Sequence, residues 1–303
     1  MVIAVLVFLV AVESYALFVR FERPGPAKPV SLKKAAPPAK KTTSVNPETA
    51  KVFQPIPEKP PTVAPLAQAV PVAPALPTKK RLGRIAIIID DWGYNANHCE
   101  NLAEIEEPVT VAILPNLPHS TEIATCAHRH NKEVMLHLPM EPHWNLDKYP
   151  QDYIIRISMS RAKVEKLLDQ ALKSIPYAAG VNNHMGSKAT ENRRLMAIVF
   201  EALQKKRLFF VDSVVTGDSI CPEVAQQKGL RFARRDVFLD NQNDRHYIET
   251  QFAQLAQLAR EKGFAVAIGH DRALTLQIIK EQTKLLADEG FQMITINELI
   301  KQP

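Results

Sequence analysis

The chain has 303 residues, 46% of them hydrophobic and 23% charged, with a formal net charge of +6 and a pI near 9.1. That length holds one large domain or two ordinary ones. The positive charge is concentrated in residues 20–84, which carry 14 of the 23 prolines, 13 Lys and Arg and only 3 acidic residues; without them and Glu13, residues 85–303 sum to −3, which excludes a nucleic-acid groove as the reason for the basic pI.

Residues 2–19 are apolar apart from Glu13, Ser14 and Tyr15. As a helix they would rise about 27 Å, close to the roughly 30 Å hydrocarbon core of a bilayer. Ser14-Tyr15-Ala16 also has the small-x-small form of a cleavage site. Residues 1–19 therefore read as a transmembrane anchor or a signal segment, and the protein as membrane-anchored or secreted to the cell envelope (the periplasm of a Gram-negative cell). Residues 20–84 bury too little apolar surface to offset their conformational entropy. They read as a disordered, extended Pro/Lys-rich linker, either a plain spacer or a cationic stretch touching anionic head groups or wall polymers.

From residue 85 short apolar runs alternate with longer amphipathic ones. The runs 84–90, 109–114, 133–138, 178–185, 208–212, 230–233, 264–270 and 291–296 read as buried strands. Helical patterns fall at 160–175 with Ser160 as N-cap, 191–206 after Thr190, 244–262 from Asp244, and 271–288 from Asp271 with Gly290 past the end. This alternation predicts a parallel sheet and, over residues 85–303, an α/β domain forming a distorted (β/α) barrel of seven or eight units. The stretch 139–159, rich in Pro and aromatics, reads as a loop at the mouth. Cys99, Cys126 and Cys221 lack CxxC spacing, which argues against a cysteine zinc site; a Cys99–Cys126 disulfide is one arrangement that the count allows.

The strand ends carry the chemistry. The runs close on Asp90-Asp91, His137, His184, Asp212 and His270. In a parallel barrel all these ends open on one face. Any one could be a helix cap or a satisfied histidine, but five at the same relative position point to a site. Asp and His without thiolates suit Zn²⁺ or another first-row divalent ion with a place left for water. Two adjacent carboxylates would repel unless a cation lay between them, and they can divide the work between metal ligand and base. No GxSxG, P-loop or GxGxxG is present. His98, His119, His128, His130, His143 and His246 read as mostly solvated; His143 and Trp144 pack the long loop or stack on a sugar, and Trp92 lines or buttresses the pocket.

The elements IIIDDWG (87–93), VTVAILP (109–115), EVMLHLPMEP (133–142), GVNNHMGS (180–187), FFVDS (209–213) and AIGH (267–270) resemble those of the divergent polysaccharide deacetylases, a branch of the NodB-like carbohydrate esterases. The resemblance implies a NodB-like barrel that removes N-acetyl groups from an amino-sugar polymer such as peptidoglycan. It carries the base over to Asp90, a metal ligand to Asp91 and the general acid to His270. The sequence departs from the parent family's HxxxH motif: His137 is followed four residues later by Glu141, and Asn182-Asn183-His184 replace an arginine-containing motif. The expected metal ligands are therefore Asp91, His137 and His184. Glu141 would be a fourth ligand or a neighbour of the ligands, Asp212 would orient His270 or bind substrate, and Asn183 and Trp92 would lie close by. A non-catalytic glycan-binding protein, or a metal-dependent hydrolase of another amide or ester, are the competing readings.

Overall fold

The apolar runs pair into one parallel sheet: β1 (Arg84–Trp92), β2 (Thr110–Ile113), β3 (Glu133–Met140), β4 (Ala178–Met185), β5 (Phe209–Asp212), β6 (Phe232–Arg234), β7 (Val237–Phe238), β8 (Phe264–His270) and β9 (Gln292–Met293). The computed structural model describes residues 82–146 and 153–301. The expected anchor or signal at 1–19 and nearly all of the expected linker lie outside them. Among the described residues no helix is long and apolar enough to cross a membrane.

The strand order is β6-β5-β4-β3-β2-β1-β8-β7, with β9 beside the start of β1. Both ends of that order belong to one segment, 232–238. The Arg235 amide donates to Asp212 O on β5 (3.0 Å), and the next amide, Asp236, donates to Val266 O on β8 (2.8 Å). The sheet thus curls until its edges meet on a single stretch of chain, which leaves few unpaired strand groups. The strands at 178–185 and 264–270 match expectation residue for residue, whereas the run at 291–296 contributes only two strand residues before turning into the helix Ile296–Ile300.

Two apolar layers follow. Ala86, Ile88, Met135, Val211 and Ile268 fill the inside of the curled sheet, and Ile294, Ile296 and Leu299 close it where the strands begin. Glu133 holds that closure, accepting from Thr110 Oγ1 at 2.9 Å and from the Asn297 amide at 3.2 Å. The alternate residues, Ile85, Ile87, Ile89, Leu136 and Val181 among them, pack outward under the helices. Gly180 is required inside: a Cβ there would overlap the Phe209 ring. With the strand starts sealed, only the C-terminal ends stay open.

The helices Arg161–Ser174 and Arg245–Lys262 begin at the expected caps, Ser160 and Asp244, whose side chains accept from Lys163 N and Tyr247 N. The helix after Thr190 is instead capped by Asn192. The last long helix begins at Ala273 after Arg272, because the Asp271 carboxylate is taken by His98. Cys99 and Cys126 form a disulfide joining the helices Cys99–Glu104 and Ser120–Arg129. Cys221 is free and buried, and burial pushes its thiol up.

Candidate metal centre

Consecutive strand residues point to opposite faces, so an Asp-Asp pair cannot ordinarily serve one site. Here the register between β1 and β2 shifts between Ile89 and Trp92, and Asp91 adopts φ 67°. Left-handed backbone costs an L-residue about 1–2 kcal/mol, and Asp and Asn tolerate it better than most. The shift brings both carboxylates to one imidazole: Asp90 Oδ2 lies 3.6 Å, and Asp91 Oδ1 3.3 Å, from His137 Nε2. Trp92 then turns back to the outer layer, where it is fully buried, so it buttresses the site rather than lining it.

His184 Nδ1 lies 3.1 Å from both Asp91 Oδ1 and His137 Nε2. Asp91, His137 and His184 therefore present one donor atom each to a common point. Ligands on a tetrahedral ion with bonds near 2.0–2.1 Å stand about 3.3 Å apart, which these separations match. The lone pairs also match. Asn182 Oδ1 lies 2.8 Å from His137 Nδ1 and can accept its proton, so in the neutral imidazole Nε2 carries the lone pair and faces the centre. Asp91 Oδ1 is sequestered and has no hydrogen-bond donor of proper geometry. Two imidazole nitrogens and a carboxylate oxygen facing one another suit a divalent cation, so the residues present fit the metal that the sequence implied.

Around these donors the titrations separate. Burial pushes the Asp90 carboxyl up, and the nearby His137 and His270 only partly offset it. Burial acts on Asp91 in the same direction, but the facing His137 and His184 imidazoles outweigh it and hold this carboxyl well below the usual range. One aspartate is thus disposed to take a proton and the other to remain an anion. Across the mouth, burial depresses His270, yet its bond to Asp240 and the charges of Asp91, Asp240 and Asp90 raise it to about 9. Its Nδ1 is 2.8 Å from Asp240 Oδ1, and Nε2 points inward, 3.9 Å from Asp91 Oδ2.

Asp90, Asp91, His137, His184 and His270 come together as expected, and Asp212, Glu141, Asn183 and His98 have other hydrogen-bond partners. Asp212 does not orient His270. Its carboxylate accepts from Val214 N (2.8 Å) and Ser219 Oγ (2.7 Å), fixing the loop after β5; the partner of His270 is Asp240. Glu141 is not among the ligating atoms, since its two oxygens accept from Lys188 Nζ and Ile157 N at 2.7 Å each. Asn183 ties β4 to the next strand, accepting from Ser213 N at 2.9 Å, while its neighbour Asn182 reaches the site. His98 is partly buried and bonded to Asp271 at 2.5 Å, beside His270. Asp240 and Asn182 belong to this cluster although the sequence analysis does not single them out. The run Val237-Phe238-Leu239-Asp240 ends in a carboxylate like the other strand ends, and that signal was available.

His184 also forms part of the wall of a pocket of about 100 Å³, with Tyr153 and Ile154 from the expected mouth loop on another side. His143 is bonded to Glu191 at 2.7 Å, and Trp144 is half exposed.

A sequence model described as divergent polysaccharide deacetylase matches residues 87–300. The chain is 36% identical over 230 residues to the uncharacterized protein YibQ of Escherichia coli (strain K12), covering 76% of this chain and 71% of YibQ. It is 32% identical over 216 residues to an uncharacterized protein of Haemophilus influenzae, covering 71% and 76% respectively. Among solved structures, uncharacterized protein ATU2773 from Agrobacterium tumefaciens C58 is similar at a TM-score of 0.69 and 19% identity, over 76% of this chain and 92% of that one. This last likeness is one of fold.

Proposed function

Because the chain belongs to the divergent polysaccharide deacetylase family, we propose that its strand-end site is a metal-dependent hydrolase centre removing N-linked acetyl groups from an amino-sugar polymer of the cell envelope. The observation that carries this reading is the mutual spacing of Asp91 Oδ1, His137 Nε2 and His184 Nδ1 at 3.1–3.3 Å, with all three acceptors aimed at one point. Zn²⁺ or a similar ion held there would acidify a water and polarise the acyl oxygen.

The remaining steps belong to the chain's own residues. Asp90, raised by burial and held by Asn182 Nδ2 at 2.9 Å, takes the proton of the attacking water. His270, kept protonated by Asp240, gives a proton to the departing nitrogen. Asn182 serves both ends, since it also fixes the tautomer of His137. In place of the missing HxxxH histidine, His184 from the adjacent strand would supply the second imidazole. The Cys99–Cys126 disulfide supports an oxidising compartment, and so the envelope; the apolar segment at 2–19 supports attachment to, or export across, a membrane.

The test is metal content and acyl release measured on one preparation. The full chain should bind one equivalent of Zn²⁺ and lose it on His137→Ala or His184→Ala. Loaded protein should release acetate and free amine from N-acetylglucosamine oligomers, and Asp90→Asn should slow this at least about 100-fold. Loaded, folded protein that releases neither from such oligomers nor from peptidoglycan strands would sink the proposal.

A further inference from the structure

A guanidinium drawn out of water is costly unless a carboxylate meets it. Arg235 is half-buried on the stretch between β6 and β7 that closes the sheet, and it meets only neutral groups. Its Nε donates to Ser213 O at 2.7 Å and its Nη2 to Val214 O at 2.8 Å, just past the end of β5. Val214 offers that carbonyl from left-handed backbone, φ 53°, which is rare for a β-branched residue. The two carbonyls occupy one edge of the fork. The other edge, Nη1 with the second Nη2 hydrogen, keeps two parallel N–H donors, the pair that matches a carboxylate. Burial pulls the guanidinium below its ordinary range, and Asp212, Asp90 and Asp236 oppose this only through space. Each of these acids is bonded elsewhere: Asp212 to Val214 N and Ser219, Asp90 to Asn182, and Asp236 to Val266 N and Lys262.

Its position gives this charge a use. The guanidinium lies over the Phe238 ring, 4.8 Å from its centroid, and that ring packs 5.0 Å from the His270 imidazole. The charge thus stands one aromatic ring away from the group assigned to protonate the leaving nitrogen, at the open ends of the strands. One ring is also the scale of one sugar. We propose that Arg235 forms an anion subsite beside the hydrolase centre, binding a carboxylate carried by the polymer on, or next to, the sugar that loses its acetyl group. The proposal rests on the hydrolase reading above and names the substrate class as an acidic rather than a neutral amino-sugar polymer. A lactyl ether on the amino sugar and a uronate in the chain both present that carboxylate. No bond forms or breaks at Arg235, so its contribution is to binding, and the effect falls on KM rather than kcat.

The experiment uses Zn²⁺-loaded full-length protein and two acidic polymers, peptide-free peptidoglycan strands and oligomers alternating N-acetylglucosamine with glucuronate. Each is compared with its own methyl ester, which removes the charge and keeps the sugar, and amine release is read. The acid should show a KM about tenfold below that of its ester, the low end for a hydrogen-bonded charge at a half-exposed site, with kcat nearly equal. A difference in the peptidoglycan strands alone assigns the carboxylate to the lactyl ether, and in the other polymer alone to the uronate. Arg235→Gln should bring the ratio toward one, and Arg235→Lys, which keeps the charge without the fork, should fall between. Zn²⁺ stoichiometry shows that each variant's fold and centre are intact; should the variants misfold, the comparison of acid with ester on the parent carries the test. Equal KM for acid and ester in both polymers, or a ratio that persists in loaded Arg235→Gln, overturns the proposal and leaves the hydrolase reading standing. If no polymer releases amine, the hydrolase reading falls and calorimetry decides the subsite: a lower Kd for acid than for ester supports it, and equal values overturn it.

Discussion

Asn182 offers the sharpest test of how the centre is built, because one fully buried amide holds two residues of the proposed centre. Its Oδ1 accepts from His137 Nδ1 at 2.8 Å and its Nδ2 donates to Asp90 Oδ1 at 2.9 Å. Asn182→Ala removes both bonds and leaves two buried polar atoms unpaired, a cost of about 1–3 kcal/mol each. Loss of the partner behind a metal-bound histidine weakens metal binding about 10- to 100-fold, or about 1.4–2.7 kcal/mol. Asn182→Asp separates the two roles. A carboxylate still accepts from Nδ1, so Zn²⁺ affinity should stay within about threefold of the parent. The same carboxylate places a like charge against Asp90 Oδ1 and raises Asp90 further. Asp90 must be ionised to accept a proton, so the acid limb of kcat/KM should move to higher pH. Zn²⁺ affinity is read by competition with a chromophoric chelator, and fold by circular dichroism. A folded Asn182→Ala that binds Zn²⁺ as tightly as the parent would refute the assignment of His137 Nε2 as a ligand atom positioned by this amide.

Three further outcomes follow from other parts of the molecule. Asp240 contributes to raising His270 to about 9, and in the proposed reaction His270 acts in its protonated form, so Asp240→Asn should shift the alkaline limb of kcat/KM to lower pH; an unmoved limb would assign it to another group. The Cys99–Cys126 disulfide closes a separation of 27 residues, for which loop entropy gives about 3.5 kcal/mol. The Cys99→Ser, Cys126→Ser double variant should lose a comparable amount in urea unfolding, and an unchanged midpoint would show that the bridge contributes nothing to stability. Burial raises Glu133 at the sealed end of the sheet, with Glu298 adding to it, against the bonds from Thr110, Asn297 and Ile296. Its folded pKa lies above its unfolded one, so its favourable contribution is complete below the unfolded pKa and is lost as pH rises through the folded value. Glu133→Gln keeps an acceptor without a charge to bury, so it should melt higher than the parent near pH 7 and converge with it near pH 4; a lower melting temperature near pH 7 would contradict this.

Much of the domain was legible because strands buried on both faces read as short apolar runs, and because each chemical residue stands at the end of one. The same property hid which way those end residues face. In Phe209-Phe210-Val211-Asp212 every position is buried, so no polar alternation marks the inner face, and Asp212 looked equivalent to His137. In fact Val211 packs inward with Ile88, and Phe210 packs outward with the helices; Asp212 follows Phe210 and points away from the site. Asn182 and Asn183 were confused for the same reason. Asp240 was missed because the two-residue strand before it is too short to show a period. The left-handed turn at Asp91 was also hidden, because nothing local in Ile-Asp-Asp-Trp-Gly separates a register shift from a regular strand.

The departure from HxxxH can be understood through sheet register. A helix or loop after β3 would have to supply a second histidine four residues beyond His137, yet Pro139 and the strand continue to Met140. In the ladder His137 lies beside Asn182, and Pro139 beside His184. Two strand residues advance about 6.6 Å on one face, so Asn182 is level with His137 and can grip it, while His184 stands one step nearer the mouth and reaches back to share its donor point. Both histidines are then held by hydrogen-bonded strands rather than by a loop. Glu141, at the place the motif would have used, is released to bind Lys188 and the Ile157 amide. Ile155 pairs with the end of β3 through Pro139 and Glu141, which sets Tyr153 and Ile154 against the pocket. Placing the second histidine of the candidate metal site on the neighbouring strand thus leaves the segment after β3 available to shape what lies beside that site.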